Sequence, residues 1–72
     1  MTKQEIIRDI KSTFGPAGFI NMRDIAKYTR RHSNDVQRYM AGYPYQRHGR
    51  KGKFFFVGDV AERMLKDLEV RT

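Results

Sequence analysis

The sequence contains no cysteine. Neither a disulfide framework nor a thiolate metal site can therefore brace the fold, and the composition fits a reducing, cytoplasmic setting. Glycine and proline are few, 6 and 2 residues in 72, and no repeat or low-complexity tract is present, which excludes fibrous and linker-like chains. The opening segment, MTKQEIIRDIKS, lacks the apolar run of a signal peptide. No segment approaches the roughly 20 consecutive apolar residues of a membrane helix. A chain of 72 residues forms one domain with a modest core. A single compact domain, residues 1–72, located in the cytoplasm and away from membranes, is the expectation.

The sequence is also poor in catalytic groups. Two histidines, His32 and His48, stand without cysteine or paired carboxylates at ligand spacing, so no metal site is expected. Four tyrosines do not make a recombinase, because phosphoryl transfer needs a preorganised cluster around its nucleophile. No glycine motif cradles a phosphate. No catalytic residue, cofactor or small-molecule ligand is expected, and the chain is read as a binding protein rather than an enzyme.

Acidic residues are outnumbered, 8 against 15 lysines and arginines, for a net charge of +7. The excess is concentrated. Residues 23–53 hold Arg23, Lys27, Arg30, Arg31, Arg38, Arg47, Arg50, Lys51 and Lys53 against Asp24 and Asp35, which alone amounts to +7. The two flanking segments are nearly neutral. Charge gathered in one stretch points to a polyanionic partner, most often nucleic acid.

The order of elements is legible from local signals. Thr2 to Glu5 reads T-x-x-E, a capping box, and Ile6, Ile7, Ile10 and Phe14 follow at helical spacing. Gly15-Pro16 stops that helix. Residues 17–20 read as an extended link. Asn21 caps a second helix over 22–29, with Met22, Ile25 and Ala26 inward. Arg30, Arg31 and His32 form a tight connection, and Ser33 is placed as the cap of a third helix over 34–41 with Val36, Tyr39 and Met40 on its inner face. Gly42 ends it. Residues 43–48 and 53–57 read as two strands around the charged loop 49–52, a hairpin. Asp59 is placed as the cap of a last helix, with Val60, Ala61, Met64, Leu65 and Leu68 as its apolar stripe. The fold class is α+β: a helical domain with a two-stranded β-hairpin.

The middle pair of helices resembles a helix-turn-helix. A small residue, Ala26, sits where two helices must approach closely, and the β-branched Val36 follows ten residues later. Such pairs often carry glycine four residues after the small residue. Here that position is Arg30, so a turn of different construction is expected.

Ser33 to Met40 (S-x-x-V-x-R-Y-M), Tyr43-Pro44, a basic hairpin, an aromatic strand and Gly58 to Ala61 (G-D-V-A) resemble the winged helix-turn-helix of small phage and transposon excisionases and, more distantly, of MerR-like DNA-binding domains. The resemblance covers about residues 20–65. It implies a helix-turn-helix over about 21–41, a wing over about 43–57 and a C-terminal helix over about 59–69. It also implies an accessory protein that binds double-stranded DNA, bends it and helps a recombinase choose excision. A small transcriptional repressor of the same fold, an interaction module or inhibitor for an acidic protein, and an RNA binder are the alternatives.

Under the DNA reading the third helix enters the major groove. Asn34, Gln37 and Arg38 are the candidate base contacts, because amide side chains pair with adenine and arginine with guanine. Asp35 would repel phosphate, but it suits a helix N-terminus and can accept from cytosine. Arg23, Lys27, Arg30, Arg31, Ser33, Arg47, His48, Arg50, Lys51 and Lys53 are the candidate phosphate contacts, which position the protein without reading sequence. Alternation puts Phe54 and Phe56 on one face of their strand and Phe55 and Val57 on the other. One face is expected to be buried. An exposed aromatic face would favour the RNA alternative, because RNA readers splay single-stranded bases over exposed aromatics, and a buried one would weaken it. Possible protein partners are a recombinase, met by residues 63–72, or a second copy bound cooperatively on the DNA.

Overall fold

The structure is a computed structural model and describes residues 2–47 and 49–71. Among the described residues it is an α+β domain of four helices and one three-stranded antiparallel sheet. The order is α1 (Lys3–Phe14), β1 (Phe19–Asn21), α2 (Met22–Thr29), α3 (Ser33–Tyr39), β2 (Tyr45–Arg47), a short 3₁₀ turn (Gly49–Lys51), β3 (Lys53–Phe56) and α4 (Val57–Arg71).

The capping box forms as the sequence implies. Thr2 Oγ1 accepts from the Glu5 N–H at 3.2 Å, and the Thr2 N–H donates to Glu5 Oε1 at 2.9 Å. These bonds hold the Glu5 carboxyl below its usual range. Asn21 caps α2, its Oδ1 accepting from the Asp24 N–H at 2.8 Å. The cap of α3 lies one residue earlier than the sequence suggested. His32, not Ser33, is the N-cap, with its Nδ1 accepting from the Asn34 N–H at 3.2 Å. The His32 carbonyl also accepts from the N–H groups of Asp35 and Val36. The helix closes at Tyr39, short of Ala41 and Gly42. Asp59 is likewise not a cap, because α4 begins at Val57 directly after β3 and Asp59 lies inside its first turn.

The extended link before α2 contains a strand. β1 pairs with β3 in the register Phe19↔Phe56, Ile20↔Phe55 and Asn21↔Phe54. On the other side β2 pairs with β3 as Tyr45↔Phe55, Gln46↔Phe54 and Arg47↔Lys53. The hairpin is therefore part of a sheet of order β1-β3-β2, rather than a free two-stranded unit.

Ile6, Ile10, Ile20, Ile25, Val36, Tyr39, Met40, Phe55, Val57, Val60 and Ala61 form one buried cluster. All four α-helices and the strands β1 and β3 contribute to it. α1 packs along α4, and α2 packs against α3. Met64 and Leu65 lie against the cluster, but Leu68, expected in the same stripe, is 47 % exposed.

Arg30 ends α2 in the left-handed conformation, φ 57° and ψ 37°. Among the described residues it is the one non-glycine with positive φ. Arginine thus takes the left-handed conformation at the position where a helix-turn-helix often carries glycine. Left-handed backbone costs an L-residue roughly 1–2 kcal/mol. Arg30→Gly is expected to raise stability by up to about 1 kcal/mol, the strain relief being partly offset by glycine's greater freedom in the unfolded chain. Urea unfolding measures it. A loss of stability would mean that the arginine side chain contributes more than its backbone conformation costs.

Tyr28 ties α2 to α1. Its hydroxyl donates to Asp9 Oδ2, and its ring meets Phe14 edge-on at 6.1 Å between centroids. Burial first, then the hydrogen bond and the negative charge of Asp9, push its pKa from 10.0 to about 12. Between those values the unfolded chain releases a proton that the folded chain keeps, so stability falls as pH rises. Below pH 10 the contribution is fully present. Tyr28→Phe is expected to cost roughly 0.5–1.5 kcal/mol at neutral pH and to flatten the alkaline fall between pH 10 and 12 in a series of urea titrations. An unchanged alkaline slope would contradict the assignment.

Candidate nucleic-acid interface

α3 is amphipathic across its short length. Val36 and Tyr39 are buried and Met40 follows them inward, while Ser33, Asn34, Asp35, Gln37 and Arg38 are exposed. The three candidate base-reading residues thus share the outer side of one helix, held from beneath by its apolar face. Asp35 stands among them in the first turn, where the helix dipole favours it.

Apart from Ser33, exposed at the start of α3, the candidate phosphate contacts fall into three groups. Arg23 and Lys27 are four residues apart on α2, both exposed, and Arg30 follows in the left-handed turn. Side chains four apart share a helix face, so Arg23 and Lys27 line one edge. Arg47 and Lys53 form the second group. They are directly opposite in the β2–β3 register, a like-charge pair that an isolated hairpin disfavours and that an anion would relieve. Lys53 lies over the Tyr45 ring at 4.7 Å. Arg50 is exposed in the 3₁₀ turn, and Lys51 follows it in the same turn. The side chain of Lys51, and His48 altogether, lie outside the described part. The turn meets α2 at one hollow of about 430 Å³, lined by Asn21, Arg23, Arg50 and Phe54.

Arg31 makes up the third group, and it is engaged within the fold. Its Nη2 lies 3.2 Å from Asp67 Oδ2, and its guanidinium stacks 4.3 Å from the centroid of the Tyr39 ring. Arg63 of α4 stacks on the same ring, also at 4.3 Å, and donates from Nε to the Tyr39 carbonyl at 2.9 Å. Two guanidinium groups therefore contact the Tyr39 ring. Burial, then the charge of Asp67, push its hydroxyl pKa up, while Arg63 and Arg31 oppose them. Arg31, Arg38 and Arg63 converge with Asp35 on a cavity of about 230 Å³. In the sequence Arg63 falls in the stretch 63–72 read as a candidate recombinase contact, not among the candidate DNA contacts. The aromatic-plus-arginine pair Tyr39 and Arg38 was the nearest signal.

Of the tyrosines after α3, Tyr43 is half-buried against the core, and Tyr45 is 49 % exposed, tilted against Phe55 at 5.9 Å. Among the described residues no group of histidine and acidic side chains could hold a metal ion. No helix is long and apolar enough to cross a membrane among the described residues. Comparison with protein-family models, with curated proteins and with solved structures gives no match, so the residues and their placement carry the functional inference.

Proposed function

We propose that the chain is a winged helix-turn-helix protein that binds double-stranded DNA sequence-specifically, as an accessory or regulatory factor of the excisionase kind, and that it acts by binding rather than catalysis. α3 is the recognition helix, and the β2–β3 hairpin is the wing.

The observation that carries this is the pairing of α2 with α3 through a left-handed turn at Arg30. It leaves Asn34, Gln37 and Arg38 outward on a helix whose other face is buried. The order helix, strand, helix, helix, hairpin suits a winged helix, with β1 joining the wing strands in one sheet. An α-helix fits the major groove, and its outward amides and guanidinium match base edges there. The exposed cations Arg23, Lys27, Arg47 and Arg50 flank that helix on the elements before and after it, where phosphate contacts set register. The contacts of Arg31 and Arg63 with Tyr39 fix the orientation of α3 in advance, which lowers the ordering cost of docking.

The test is selection of a preferred duplex from a random pool, followed by Arg38→Ala. A bidentate arginine–guanine contact is worth roughly 1–3 kcal/mol of discrimination. The variant is expected to lose that preference at one base pair while keeping most of its affinity for random duplex. Equal loss on both duplexes would reduce Arg38 to a phosphate contact. Failure to select any site would remove the sequence-specific role.

A further inference from the structure

The aromatic part of the sheet's outer face has no part in the duplex interface just described, although its basic end shares Arg23 and Arg50 with that interface. The register places Phe19 beside Phe56, and Asn21, Phe54 and Gln46 in one row across the three strands, all on the side away from Ile20 and Phe55. Phe19 is 41 % exposed and Phe56 48 %. Their rings tilt together at 5.8 Å between centroids. The position of Phe56 is built rather than incidental. A Cβ on Gly58 would come within 2.5 Å of the ring, so a glycine at the start of α4 leaves the space it fills.

Two exposed phenylalanines in a chain of this size call for a ligand more than for solvent. The chemistry around them is graded. At one end the row Asn21–Phe54 opens into the hollow shared with Arg23 and Arg50. At the other end a smaller hollow of about 140 Å³ is lined by Phe19, Pro44, Tyr45, Gln46, Phe56 and Asp59. Cations at one end, aromatic rings at the centre, amides within reach and the Asp59 carboxylate at the far end suit an anionic strand whose phosphate lies at the Arg23–Arg50 end and whose flat base lies on the rings. Asn21 spends its side-chain oxygen on the α2 cap, which leaves its amide NH₂ able to donate.

We propose that this face binds an unpaired segment of single-stranded DNA. A base stacks on the Phe19–Phe56 pair, and a neighbouring phosphate lies between Arg23 and Arg50. Stacking on aromatic rings beside a basic groove is how single strands are held without base pairing. A duplex cannot use the face in this way, because its bases are already stacked on each other. The choice of DNA over RNA rests on the duplex reading above; the stacking site itself does not.

The test uses fluorescence anisotropy with three labelled probes of one sequence: a thymine-rich DNA strand, the matching RNA strand and the DNA duplex. Phe56→Thr and Phe19→Thr keep a strand-favouring residue and remove the ring. Each is expected to weaken the single DNA strand about fivefold to a hundredfold and to leave duplex affinity within about twofold of wild type. Unchanged single-strand affinity, or equal loss on duplex, would overturn the proposal. RNA bound tenfold more tightly than DNA would overturn the choice of DNA. A dimer in sedimentation that Phe56→Thr dissolves would assign the face to a second copy instead. If the variants do not fold, photo-crosslinking of wild type to bromodeoxyuridine-substituted strand decides: adducts on the peptides holding Phe19 or Phe56 are expected, and adducts confined to α3 would overturn it. Single-strand binding without any duplex binding would sink the duplex reading and leave this one standing.

Discussion

Ile25→Ala is expected to cost the folded chain about 2–5 kcal/mol, the range for removing a fully buried aliphatic side chain and leaving a cavity. Ile25 lies on α2 at 0 % exposure, in the buried cluster that joins the helices to the sheet. No relaxation of one element alone can fill the gap, because α2 packs on α3 and also touches β1 and β3. A domain of this size has little stability to spare. The variant is therefore expected to be largely unfolded near room temperature and to bind nothing. Circular dichroism with urea unfolding measures the effect. Ile25→Val should cost only about 0.5–1.5 kcal/mol, and Leu68→Ala, at the exposed end of α4, should fall within about 0.5 kcal/mol of wild type. A loss below about 1 kcal/mol for Ile25→Ala would mean that the core is not organised around α2.

Replacing Lys27, Arg47 and Arg50 together by alanine is expected to give the largest effect on binding. All three are exposed and lie on α2, β2 and the turn between the hairpin strands, so none carries the core. If about five phosphates are neutralised by the wild type, log affinity should fall with log salt at a slope of about −4 to −5. Removing three contacts should flatten that slope to about −2 and weaken duplex binding on the order of a hundredfold at 0.1 M salt. The loss should be the same on a selected site and on random duplex, since phosphate contacts carry no sequence information. This separates the triple variant from Arg38→Ala. An unchanged slope would place the phosphate backbone elsewhere on the molecule.

Helices were the most legible part of the sequence. The Thr2–Glu5 capping box, the Asn21 cap and the spacing of Ile6, Ile10, Ile25, Val36 and Val60 each encode a local decision, and the structure follows them. The expected cap of α3 lies one residue late, and that of α4 falls inside the helix's first turn. A histidine ring nitrogen can serve where serine is expected, and β3 passes into α4 with no loop to mark the boundary. β1 was missed for a different reason. It spans three residues, too few for alternation to register, and its partner β3 lies more than thirty residues away. Its existence is a tertiary decision, made when Ile20 and Phe55 share the core.

The candidate site was legible in its residue types and not in its arrangement. The charge concentrated over residues 23–53 is visible at once, and Asn34, Gln37 and Arg38 do share the outer side of α3. Three features needed coordinates. Arg31 is held by Asp67 and Tyr39, Arg63 joins it across thirty-two residues of sequence, and the turn arginine Arg50 comes to the hollow beside Arg23. Alternation had already divided the phenylalanines between two faces. Which face the core takes depended on where α4 and β1 pack, and only then did Phe56 emerge as exposed.

The central claim is that the basic middle of this chain is a duplex-DNA interface. The measurement that tests it most directly is anisotropy on a labelled random duplex across a salt series, with an acidic polypeptide of matched charge as competitor. Binding to the duplex with a log–log salt slope of about −4 to −5, resistant to the polypeptide, is the predicted result. No duplex binding at low salt, or displacement by the acidic polypeptide at equal charge concentration, would contradict it.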